Sequence, residues 1–164
     1  MFKEKHLHII TSFIEEIGIN IIFQEIEETC FLPGLKLYKG AILVDKTKLQ
    51  YPGDLLHEAG HIAITLPEHR HLIGTSRMPE NWPSDGDEIA TVIWSFAALS
   101  KLQLAPEVVF HENGYKNQSK WLIEQFENKN YIGLPLLEWM GLCHQNNNKD
   151  SSHLAFPHMI KWLR

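Results

Sequence analysis

The stretch "YPGDLLHEAGHIAI", Tyr51 to Ile64, carries His57, Glu58 and His61 in the order H-E-x-x-H. Leu55, Leu56, Ala59, Ile62, Ala63 and Leu66 recur at helical spacing, Asp54 stands where an N-cap is expected, and Pro67 stops the pattern. Two histidines four apart on a helix share one face, so both imidazoles can reach one metal ion. Glu58, next to the first of them, is placed to take a proton from a metal-acidified water and pass it to a leaving amine. Random ordering of this composition yields the motif in roughly one chain in twenty, so the context has to carry weight. Gly60, inside the helix, costs about 1 kcal/mol relative to Ala, a penalty that points to close packing or function.

A catalytic zinc takes three protein ligands and keeps one position for water. The segment "SDGDEIATVIWSFAAL" offers Asp85, Asp87 and Glu88 at the start of an apolar helix. Acids in a first helical turn also serve as caps and suit the helix dipole, which is the plainer role for Asp85 and Asp87. Glu88 lies past the cap and is the favoured third ligand, with Asp87 the alternative. A histidine third ligand in the metzincin pattern is excluded, because Ile64 and Pro67 stand where that pattern needs Gly and His.

Around this motif the chain reads as one domain spanning residues 1–164. Its 164 residues are 44% hydrophobic and 21% charged, with a net charge of -5 and no block of like charge. That balance invites neither a nucleic-acid nor a membrane partner. Apolar runs such as "IATVIWSFAAL" fall short of the roughly 20 residues of a bilayer span. The opening "MFKEKHLHIITSFIEEIG" does not read as a signal peptide. Cys30 and Cys143 lack CxxC spacing, so free thiols and a cytoplasmic location are expected.

Leu7, Ile10, Phe13, Ile14 and Ile17 mark a first helix stopped by Gly18. "INIIFQEIEETC", "FLPGLKLYKG" and "AILVD" read as three short strands in an antiparallel or mixed sheet. An ordered loop over 68–86, an apolar helix from Asp87 and a turn opened by Pro106 follow. "NQSKWLIEQFENK" reads as a helix with Trp121, Leu122, Gln125 and Phe126 on one side, and "PLLEWMGL" as another. A polar loop, "CHQNNNKDSSH", precedes "FPHMIKWLR". The class is α+β, with the metal between the "HEAGH" helix and the helix beginning near Asp87.

Three strands, the "HEAGH" helix, a loop and an acidic start to an "A-x-x-x-W-S-F-A-A" helix resemble, over about residues 1–110, the ImmA/IrrE-type zinc metallopeptidases of bacteria, small relatives of the gluzincins. The resemblance implies a zincin-like fold, Zn²⁺ held by His57, His61 and Glu88, and Glu58 as catalytic base for hydrolysis of a peptide bond in a cytoplasmic protein or peptide. Ala59 stands where that family commonly has Leu, and "DEIATVIWSFAA" departs from its acid-Ala-Asn run.

His111 and Tyr115, in "FHENGY", are candidates for the donor that steadies the developing oxyanion. His69 and His71 read as exposed loop residues with a solvated Arg70 between them, and Trp82 leads into the proposed third ligand. The competing functional reading is a non-catalytic sensor or interaction protein whose metal site is closed by a fourth ligand, with Asp87, His111 or a loop histidine as candidates.

Overall fold

The computed structural model describes residues 2–145 and 154–164; the polar stretch Asn146 to His153 lies outside the described residues. Helix α1 (Phe2–Glu16) presents Ile10, Phe13 and Ile14 to the core, as its apolar spacing requires. Three strands follow: β1 (Ile21–Phe23), β2 (Leu35–Tyr38) and β3 (Ala41–Val44). They form a mixed sheet in the order β1-β3-β2, with β1 parallel and β2 antiparallel to β3. The central strand β3, a run of Ala, Ile, Leu and Val, is buried throughout, which accounts for its unbroken apolar sequence.

Strand β1 is shorter than the apolar run that announces it. Backbone pairing ends after Gln24 N–H donates to Val44 O, and the alternating "EIEET" segment is irregular. Asp45, directly after β3, takes over its hydrogen bonding: the carboxylate accepts from Ile26 N, Thr47 N and Thr47 Oγ1. The Thr47 side chain, then the two backbone donors, hold this carboxyl down at about 2.

Helix α2 (Asp54–Ile64) lies under β3 and packs along α3 (Asp85–Leu102). Gly53, rather than Asp54, occupies the N-cap, and no side chain caps this end. The backbone explains the glycine: a Cβ there would sit 1.7 Å from Val108 O. The chain after α3 therefore presses on the first turn of α2, through a tight turn at Pro106–Val108. At the other end, Thr65 Oγ1 donates to His61 O, and Arg70 Nε donates to Ile62 O and Thr65 O. Arg70 is thus a C-terminal cap on α2 and not a solvated loop cation, while His69 and His71 are exposed as expected.

Helix α3 begins at Asp85, two residues earlier than the apolar pattern indicates, because Ser84 and Asp87 form a reciprocal capping box. Helices α4 (Ser119–Glu127) and α5 (Leu134–Trp139) complete the fold. In α4 the buried residues are Ser119 and Phe126, whereas Trp121 is 48% exposed and does not share the face of Phe126. Trp94 is fully buried at the centre, its Nε1 donating to Trp162 O, and Cys30 and Cys143 are unpaired. No helix among the described residues is long and apolar enough to cross a membrane.

Candidate metal centre

One turn of α2 brings His57 and His61 onto the same face, and the first turn of α3 places Glu88 opposite them. His57 Nε2 and His61 Nε2 are 3.1 Å apart. Glu88 Oε1 lies 3.3 Å from His61 Nε2, and Glu88 Oε2 lies 3.5 Å from His57 Nε2. The donor atoms all fall within 4.8 Å of one another. Ligands held about 2.0–2.1 Å from a tetrahedral zinc stand roughly 3.3 Å apart along the tetrahedron's edges, which these spacings match within a few tenths of an ångström.

The approach of α2 to α3 depends on Gly60. A Cβ at that position would lie 2.9 Å from Thr91 Cγ2 and 3.3 Å from Trp94. Removing the side chain from the seam lets the histidine face of α2 meet the acidic start of α3. Thr91, fully buried, then sits with Oγ1 3.2 Å from His61 Nδ1.

Each histidine has a partner for its second nitrogen. Thr91 Oγ1 lies 3.2 Å from His61 Nδ1 and Tyr115 Oη lies 3.3 Å from His57 Nδ1. With a metal at the centre, both Nδ1–H groups would have an acceptor, leaving both Nε2 lone pairs to the ion. Tyr115 opens a run of three left-handed residues, with φ of 55°, 51° and 63° at Tyr115, Lys116 and Asn117. Such backbone is disfavoured for residues with a Cβ. It turns the chain back so that the phenol points at His57. Burial, reinforced by the carboxylates of Asp54, Glu88 and Glu58, pushes the phenol well above its ordinary range and keeps it a neutral hydroxyl.

Glu58 sits beside His57 with no hydrogen bond or ion pair among the described residues. Burial raises its carboxyl to about 7, with Glu88 and Asp54 adding to the rise and His57 opposing it. Glu88 behaves oppositely. Hydrogen bonds from His57 and His61 hold it well below the usual carboxylate range, although its side chain is 46% exposed. One carboxylate is thus set up to stay charged between two imidazoles, and the other to exchange a proton near neutrality.

The two residues named as possible extra ligands are engaged elsewhere. Asp87 accepts from Ser84 N and Ser84 Oγ at 2.9 and 2.8 Å. His111 Nε2 lies 2.9 Å from Asp54 Oδ1, and the His111 ring stacks on Tyr51 at 3.8 Å. That pairing also removes His111 as the oxyanion donor, since its Nε2–H is already committed. Among the described residues no fourth His, Cys, Asp or Glu joins the three. Trp82 does reach the centre, its ring centroid 5.7 Å from that of His61. Asp54 and Thr91 are the site residues that sequence reading missed. Asp54 precedes Glu58 by one helical turn, and Thr91 follows Glu88 by nearly one, so helical pitch was the available signal.

A scan against protein-family models and searches among curated proteins and solved structures found no match.

Proposed function

We propose that the protein is a zinc-dependent metallopeptidase that hydrolyses a peptide bond in a protein or peptide. The observation that carries this reading is a three-donor cluster, His57, His61 and Glu88, with an unpaired carboxylate, Glu58, beside it and no fourth protein donor among the described residues. A structural zinc site is closed by four protein ligands, whereas a catalytic one leaves a position open. Asp87 and His111, the candidates for closing it, are held by Ser84 and Asp54.

When bound, zinc would polarise the scissile carbonyl and acidify water for attack. His57 and His61 would hold it through their ring nitrogens, with Tyr115 and Thr91 as partners for the nitrogens turned away, and Glu88 would supply a carboxylate oxygen. Glu58 accepts the proton of the attacking water and returns it to the nitrogen of the departing amine, a task that favours a group titrating near neutrality. The "HEAGH" helix followed by an acid-opened, Ala/Phe-rich helix resembles the ImmA/IrrE-type zinc metallopeptidases and supports the same zincin-like reading. A cytoplasmic location belongs to this proposal, as does a protein or peptide substrate.

The test is Glu58→Gln in zinc-loaded protein, assayed on a mixed peptide pool by mass spectrometry. Hydrolysis should vanish while zinc is retained. Undiminished cleavage, or loss of the metal with the substitution, overturns the assignment.

A further inference from the structure

A cleft of about 530 Å³ lies between the Pro106–Glu112 segment and α4, within the size range of ligand pockets. It is linked to the metal centre through neighbouring residues: His111 lines it and is hydrogen-bonded to Asp54 on α2, and Tyr115, four residues on, reaches His57. Phe110 and Ile123 make an apolar floor. Around the rim stand Glu107, Glu112, Glu124 and Glu127. Glu112 pairs with Lys120 at 3.1 Å, and among the described residues the other three carboxylates have no cationic partner.

Polar groups inside the cleft also lack partners. Ser119 is only 3% exposed yet lines the cleft, and its hydroxyl makes no hydrogen bond among the described residues. Nδ1 of His111, in the cleft wall, is buried without a partner. A buried nitrogen left unpaired is costly, and a ligand group that pairs with it recovers that cost, while the unpaired Ser119 hydroxyl stands beside it as a further polar contact.

We infer that this cleft is a specificity subsite of the proposed peptidase, resting on that reading, and that it takes a lysine or arginine side chain of the substrate peptide. The apolar floor suits the methylene stem of such a side chain. Its cationic head is met by three unpaired carboxylates and by the Ser119 hydroxyl as acceptor. A neutral or acidic side chain leaves the rim carboxylates without a cation.

The experiment measures binding separately from turnover. Zinc-loaded Glu58→Gln protein is titrated with fluorescein-labelled alanine-based peptides that differ only in a central Lys, norleucine or Glu, by fluorescence anisotropy. Wild-type protein is incubated with the same peptides and cleavage is followed by mass spectrometry. The Lys peptide should bind about tenfold tighter than the norleucine peptide and the Glu peptide weaker still, a preference of the size expected for charge-assisted contacts. The double reversal Glu124→Lys, Glu127→Lys, on the exposed face of α4, should invert the Lys-to-Glu order with the melting temperature little changed. Equal binding of the three peptides, or a lysine preference that survives the reversal, overturns the subsite. Lysine-selective binding without cleavage by the wild type would leave the subsite standing and defeat the peptidase reading instead.

Discussion

Tyr115 Oη stands 3.3 Å from Nδ1 of His57, fifty-eight residues away in sequence, and serves as the acceptor that turns the imidazole toward its partner His61. The contact reassigns Tyr115. Its oxygen lies behind the imidazole ring, on the side away from Nε2, so it is placed to orient a ligand of the proposed centre. Outer partners of this kind typically matter 10–100-fold in metal affinity. Tyr115→Phe should weaken zinc binding by about that factor while leaving the folded state intact, measured by competition with a chromophoric chelator. An unchanged affinity would show that His57 needs no such partner.

Gly60 keeps α2 and α3 close enough for Glu88 to meet both histidines. Gly60→Ala improves helix propensity by about 1 kcal/mol, but its methyl would meet the short, branched Thr91 side chain at 2.9 Å. Overpacking of this kind costs about 1–3 kcal/mol, so the clash wins. The melting temperature should fall by a few degrees, at about 2–4 °C per kcal/mol for a chain of this size, and zinc affinity should drop with it. A stabilised variant that binds zinc normally would show that the seam is looser than the contacts indicate.

Burial raises the Glu58 carboxyl from an ordinary 4.5 to about 7 in the metal-free protein. Between those values the folded state holds a proton that the unfolded chain has released. The stability contribution of Glu58 therefore declines as pH rises from about 4.5 through about 7, opposite to a salt-bridged carboxylate. Metal-free Glu58→Gln lacks this dependence, so its advantage over wild type should grow from about pH 5 to about pH 8 in urea unfolding. A pH-independent difference between the two proteins would mean that Glu58 is solvated.

His111 is the donor to a buried carboxylate, with Asp54 raised above its ordinary range chiefly by burial and lowered in part by the histidine. Taking away one partner of such a pair leaves the other buried and unsatisfied. His111→Phe should lose about 1–3 kcal/mol of stability while one zinc remains bound. Loss of zinc with little change in melting temperature would place His111 in the metal centre after all.

Much of the centre was legible because its geometry is local. Helical pitch alone sets His57 above His61, and a capping box that consumes Asp87 leaves Glu88 as the carboxylate one position on. The α+β class follows from the change of period after Asp45. Long-range pairings were not legible. Nothing in "INIIF" says that it lies parallel to "AILV", and the "QEIEETC" that follows is not strand because Asp45 captures Ile26 N–H. Asp54 reads as a cap from its position, yet Gly53 takes that place because Val108 leaves no room for a Cβ. Thr91 is an ordinary residue in sequence and Tyr115 reads there as a candidate oxyanion donor; only the tertiary fold sets each against a histidine nitrogen.

The most direct test is zinc stoichiometry by elemental analysis of protein purified without a histidine tag or added metal, compared across wild type, Glu88→Ala and Asp87→Ala. Wild type and Asp87→Ala should each carry about one equivalent of zinc, and Glu88→Ala should lose the metal. A wild type that takes up no zinc even when it is supplied, or a Glu88→Ala protein that keeps its full equivalent, would contradict the three-ligand centre.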